Sequence, residues 1–121
     1  MEERALEIGI KSRRDFFQEA RTALEQVAKG DMPEKPLEGL FFENLTTLLK
    51  YLTPKRMELL EELHKIGHIT THALSRQLGR HYKNVHDDVK ILESLGLVEK
   101  DEDGRIFTPY DKILAELRLA A

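Results

Sequence analysis

The spacing of apolar positions changes several times along the 121-residue chain, and each change predicts an element. Leu6, Ile8 and Ile10 alternate within ALEIGIK, the period that puts every second side chain on one face of a strand. Ser12 and Asp15 form a capping-box-like pair that opens a helix running to about Lys29. Its apolar side carries Phe16, Phe17, Ala20, Leu24 and Val27, and Gly30 stops it. DMPEKP, residues 31–36, has two prolines in six positions and reads as a linker. LEGLFFEN reads as a second strand, with Asn44 as N-cap of a helix over LTTLLKYL. Thr53 and Pro54 start another helix, because proline's fixed φ and missing N–H suit a first turn. Met57, Leu60, Leu63 and Ile66 line its buried face and Gly67 ends it. After a short extended piece at Ile69, Thr70 caps a helix over THALSRQL and Gly79 makes a tight turn. Arg80 or His81 then leads into YKNVHDDVKILESL, where Val85, Val89, Leu92 and Leu95 recur at four, three and three residues and share a face. Gly96 closes that helix. LVEK, DEDG and RIFTP predict strand, turn and strand, with glycine where a positive φ is tolerated. Ile113, Leu114 and Leu117 predict a final helix over YDKILAELRLAA.

These elements make a mainly helical α+β protein. Over residues 53–121 the order helix, short strand, helix, tight turn, helix, hairpin is the plan of a winged helix-turn-helix, a DNA-binding unit. Residues 1–52 form a strand-helix-strand extension in front of it.

Three runs carry a more specific likeness: LTPKRMELLEEL, LSRQLGRHYKNVHDDVKILESLGLVEKDEDGR and PYDKI. With the combination of Arg80, Lys83, Asn84, Val85, Asp88, Val89, Leu92, Leu95, Gly96, Leu97 and Val98, the chain resembles prokaryotic predicted transcriptional regulators of the MarR-like winged-helix type, some of them labelled antitoxin components. The resemblance covers most of residues 40–114 and only loosely residues 1–36. It implies a double-stranded DNA partner, a regulatory role such as repression, and, for an antitoxin, a toxin partner.

Charge narrows the place where DNA would sit. The net charge of −3 argues against a nonspecific nucleic-acid coat, which depends on neutralising many phosphates. Residues 64–92 differ from the rest: Lys65, Arg76, Arg80, Lys83 and Lys90 face only Asp87 and Asp88, and all five histidines fall in this segment. In a winged helix-turn-helix the third helix lies in the major groove and reads bases from its N-terminal end. With Val85, Val89 and Leu92 inward, the outward set is Tyr82, Lys83, His86 and Asp87 or Lys90, with Asn84 at the edge. Lysine suits guanine and asparagine suits adenine, Arg80 at the helix start is placed for phosphate or guanine, and Arg76 for the backbone. Arg105 is the one cation of the hairpin turn, beside Asp101, Glu102 and Asp103. Each residue also has a structural alternative: Lys83 and Arg80 as solvated charges, Asn84 as a cap, Tyr82 as packing beside the turn. Asp88 sits at the edge of the buried face, where a carboxylate is expected to accept hydrogen bonds from Arg76 or Arg80. Asp87 repels phosphate unless it pairs with Lys83 or Lys90 or accepts from cytosine.

An acidic wing implies modest affinity per protomer, so a homodimer is expected. Ile8, Ile10, Phe16, Phe17, Phe41 and Phe42 are its candidate anchors, with EIGI and LFF pairing across subunits as edge strands. The alternative is that these residues cover their own core. A second functional class, a winged-helix protein-interaction module without DNA binding, would turn Asp87 and the acidic wing to a protein partner.

Other chemistries find little support. His64, His68 and His72 recur at four residues, but Gly67 breaks the helix between them and no cysteine completes a metal shell. There is no glycine-rich phosphate loop, nucleophile elbow or paired-carboxylate arrangement, so neither an enzyme nor a cofactor is expected. No apolar run approaches the roughly 20 residues of a spanning helix, and MEERALEIG is too acidic for a signal peptide, so a cytoplasmic location and no membrane partner are expected.

Overall fold

A computed structural model of the chain describes residues 3–31 and 39–117, so most of the 31–36 linker lies outside the described residues. The chain forms two compact units. Among the described residues, one contains 3–5 with Lys50–Lys112, the other 6–31 and 39–49 with 113–117. Residues 113–117 thus group with the N-terminal segment.

In the N-terminal unit, β1 (Ala5–Ile10), α1 (Arg13–Ala28) and β2 (Gly39–Phe42) follow one another. The strands pair in parallel, Ile8 opposite Leu40 and Ile10 opposite Phe42. Parallel neighbours need a crossover, and α1 lies on the segment that makes it. The Ser12 hydroxyl accepts from the Asp15 N–H at 3.1 Å and caps α1. Asn44 does the same for α2 (Leu45–Tyr51), its side-chain oxygen accepting from the Thr47 N–H at 2.8 Å. Leu6, Ile8, Phe42 and Leu48 are buried.

Three expectations are corrected here. EIGI and LFF pair with each other within the chain, because the crossover brings them side by side, and EIGI as the central strand has no free edge for a second subunit. Ile8 and Phe42 are interior residues and cannot anchor a partner. The final helix is instead a strand, β5 (Lys112–Ala115), on the other edge of β1, with the Glu116 N–H donating to the Ile8 carbonyl at 3.1 Å. Three apolar residues at 113, 114 and 117 fit a helix locally, but the open backbone of β1 offers hydrogen bonds that no local pattern displays. Residues 118–121 lie outside the described residues.

The second unit contains α3 (Pro54–Ile66), α4 (Thr71–Leu78), α5 (Tyr82–Ser94), β3 (Glu99–Lys100) and β4 (Ile106–Phe107). Thr53 and Thr70 cap α3 and α4 through their hydroxyls, and Pro54 opens α3. Leu59, Leu60 and Leu63 form the buried stripe of α3, while Met57 and Ile66 are half-buried. Leu74, Val85, Val89, Leu92, Leu97, Val98 and Ile106 complete an interior in which each large apolar side chain contributes about 1.5–3 kcal/mol on burial. β3 and β4 pair antiparallel, Lys100 opposite Ile106. Ile69 forms a bridge to the same Ile106 through two backbone hydrogen bonds of 3.1 and 2.8 Å. Among the described residues no helix is long and apolar enough to cross a membrane.

Candidate nucleic-acid interface

The surface singled out by the charge pattern is built on α4, a three-residue turn and α5. Gly79 ends α4 in the left-handed conformation, φ 64°, which a side chain would strain. The Arg80 N–H donates back to the Ser75 carbonyl at 3.0 Å, so the turn doubles tightly on α4. His81 then caps α5, its ring Nδ1 accepting from the Lys83 N–H at 3.3 Å. Asn84 is therefore not the cap, and its side chain is exposed.

Val85, Val89 and Leu92 are buried, which fixes the rotation of α5 about its axis. Lys83, Asn84, Asp87 and Lys90 are exposed in consequence, and so is Arg76 on α4. The side chains of Arg76, Lys83, Asn84 and Lys90 have no hydrogen-bond or ion-pair partner among the described residues. Tyr82 stacks nearly parallel on His72, ring centroids 3.8 Å apart, and leans toward His86 at 5.6 Å. This aromatic file joins α4 to the first turns of α5.

Arg80 is not available as expected. Its Nη2 donates to Asp88 Oδ2 at 2.7 Å, and the side chain is only 19% exposed. The other Asp88 oxygen accepts from Arg56 Nε at 3.0 Å, with Asp88 itself 14% exposed. Arg56 Nη1 also donates to the carbonyls of Tyr51 at 2.8 Å and Lys50 at 3.3 Å. One carboxylate thus ties the first turn of α3, the turn after α4 and the middle of α5. Arg76 is no part of it, and Arg56 was missed because 32 residues separate it from Asp88. Arg80 Nη1 is buried without a hydrogen-bond partner among the described residues. Among the described residues Asp87 pairs with neither Lys83 nor Lys90; His86 Nδ1 lies 3.9 Å from its carboxylate.

The hairpin turn closes on Asp101. Its Oδ1 accepts from the N–H groups of Asp103 at 2.9 Å and Arg105 at 3.0 Å, and its Oδ2 meets His68 Nδ1 at 2.7 Å. The His68 hydrogen bond, opposed by partial desolvation and supported by the two backbone N–H groups, holds the Asp101 carboxyl below the usual carboxylate range. The Arg105 side chain is exposed and unpaired among the described residues. The spaced histidines do not converge: His64 meets Asp111 at 3.2 Å, His68 meets Asp101 and His72 stacks on Tyr82. Asp111 is likewise held low, first by the Arg4 backbone N–H and then by His64.

In the N-terminal unit, α1 has no buried residue. Phe16 and Phe17 are 46% and 60% exposed, and Leu24 70%. Ile10 and Phe41 are half-buried, with the Lys11 ammonium 3.9 Å from the Phe41 ring centre. Residues 51–115, which include every charged group of the α4–α5 surface and the hairpin, match the model of a family described as HVO_A0114. No curated protein and no solved structure matches the chain.

Two outcomes follow from the ionic contacts. Asp88→Ala leaves two poorly solvated guanidinium groups uncompensated and is expected to cost about 3–5 kcal/mol in urea unfolding, against less than about 0.5 kcal/mol for exposed Asp87→Ala. Equal costs would contradict the ionic tie. Because the Asp101 pKa is depressed on folding, its contribution is present above the ordinary value of 3.8 and is lost as pH falls through the lower folded value. Carboxyl-carbon NMR should show Asp101 titrating below 3.8, and His68→Phe should move the midpoint upward.

Proposed function

The chain belongs to the HVO_A0114 family, and from that premise we propose that residues 53–115 act as a winged helix-turn-helix that reads double-stranded DNA as a transcriptional regulator. The observation that carries this reading is the outward face at the start of α5, where Lys83 and Asn84 stand exposed and, among the described residues, unpaired on a helix locked in place by a buried face and an ion-paired turn. Fixed backbone with free polar ends is what base-edge recognition needs. Lys83 meets guanine acceptors and Asn84 the adenine edge, while Arg76, Lys90 and Arg105 meet phosphates. Tyr82 and His86 flank them. Arg80 contributes by positioning α5. Few cations reach the surface, so affinity per protomer is low and the protein binds as a dimer, most simply as a repressor occupying a two-fold site in the cytoplasm.

Helix α1 supplies the dimer surface in this proposal. It is 16 residues, about 24 Å long, with Phe16, Ala20, Ala23, Leu24 and Val27 in one stripe and Phe17 at its edge. Small alanines at the centre allow close approach, and large residues toward both ends fill the space beside it. Arg14 and Arg21 flank the stripe on one side, Asp15 and Glu19 on the other, so a second copy laid parallel meets opposite charges along both flanks. A second reading, a protein-interaction module, is favoured by exposed Asp87, Glu102 and Asp103.

Fluorescence anisotropy separates the two. Duplex DNA from the region upstream of its own coding sequence should bind more tightly than a scrambled duplex, weaken with salt, and lose about 1–3 kcal/mol with Lys83→Ala. Negligible binding to both duplexes favours the interaction module. In sedimentation the wild type should be a dimer and the Phe16→Asp, Phe17→Asp double variant a folded monomer; an unchanged dimer would remove α1 from the interface.

A further inference from the structure

The hairpin turn has little of its own to hold it. Residues Glu102 to Arg105 are all exposed, and the first buried side chain after them is Ile106. Order in this turn comes from hydrogen bonds, and most of them converge on Asp101. Its carbonyl accepts from the Gly104 N–H at 3.1 Å, its N–H donates to the Arg105 carbonyl at 2.8 Å, and its Oδ1 accepts from Asp103 and Arg105. Gly104 closes the turn at φ 80°.

What anchors Asp101 is His68, from 33 residues earlier in the chain. The histidine is itself fixed twice. Its neighbour Ile69 is hydrogen-bonded to Ile106 in both directions, and its ring stacks on Phe107 with centroids 4.4 Å apart and planes 18° from parallel. An ionised carboxylate only accepts, so the hydrogen of the 2.7 Å contact resides on His68 Nδ1. One Asp101 oxygen therefore grips the fixed histidine and the other grips the backbone of the turn.

We propose that His68 is a positioning residue for the wing: by anchoring Asp101 it fixes the backbone at Arg105 and so directs the one cation of the turn to a DNA phosphate. The DNA part rests on the reading proposed above; the ordering of the turn does not. Carboxylates held as acceptors for backbone N–H groups carry less unbalanced negative charge, so the same contact also reduces the repulsion that Asp101 offers a phosphate.

The test uses the full chain and three variants. His68→Phe keeps a flat ring against Phe107 and removes the donor; His68→Asn restores an N–H near the Nδ1 position; Arg105→Ala removes the cation. Without DNA, amide exchange at Arg105 and Asp103 should rise roughly tenfold in His68→Phe and return toward wild type in His68→Asn, with the urea midpoint little changed. Unchanged exchange at Arg105 in His68→Phe overturns the proposal whatever the DNA result. With DNA, His68→Phe should reduce the salt dependence by about one phosphate contact, and adding Arg105→Ala should cost nothing further. Additive losses in the double variant would show that Arg105 acts independently of His68. Wild-type protein that binds no duplex overturns the regulator reading and the aiming of Arg105 together, while the exchange data decide the ordering of the turn by themselves.

Discussion

The Asp88 carboxylate, shared between Arg56 and Arg80, is the contact on which the rest of the candidate surface depends. Hydrophobic burial of Val85, Val89 and Leu92 decides which face of α5 is inward, but burial is non-directional and tolerates sliding along the helix axis. Two charge-assisted hydrogen bonds of 2.7 and 3.0 Å on one carboxylate do not. They locate α5 against the turn before it and the first turn of α3. A partly buried ion pair of this kind adds little net stability compared with an apolar replacement, and its loss on one side is costly, so its contribution is to register more than to energy. Arg56 extends the register to the last carbonyls of α2, which lack helical partners of their own.

That commitment changes the electrostatics of the surface. Arg80 and Arg56 are held within the fold by Asp88, and the cations left exposed on α4 and α5 are Arg76, Lys83 and Lys90, with Arg105 in the hairpin turn. A small set of unpaired cations in a chain of net charge −3 gives a local rather than a global attraction for phosphate. In the proposed reading such a surface discriminates by the few groups that reach bases more than by general affinity. The acidic turn fits the same economy: Asp101 is consumed in internal hydrogen bonds to His68, Asp103 and Arg105, which leaves Glu102 and Asp103 as its solvated acids.

The histidines show how one residue type is divided among unrelated tasks by its surroundings. His81 accepts at the start of α5, His68 donates to the hairpin turn, His64 meets Asp111, and His72 offers its face to Tyr82. His64, His68 and His72 recur at four residues along the chain. The break at Gly67 sends them to different neighbours.

What the sequence determined by itself was governed by interactions within three or four residues. Ser12, Asn44, Thr53 and Thr70 were recognisable as caps because each must reach an N–H in the next turn, and Gly79 and Gly104 because their turns demand a positive φ. The inward face of α5 was legible for the same reason, since its period is that of the helix. Tertiary structure decided the rest. It took Arg80 from the candidate contacts by offering Asp88 at hydrogen-bonding distance, brought in Arg56, buried Ile8 and Phe42, and made a strand of residues 112–115 by presenting them with the edge of β1. The Arg80–Asp88 contact, eight residues apart, was one of the two the sequence offered; in the other cases the deciding partner lies far along the chain, and a local pattern carries no information about which distant group will arrive to satisfy a charge, an apolar surface or an open backbone hydrogen bond.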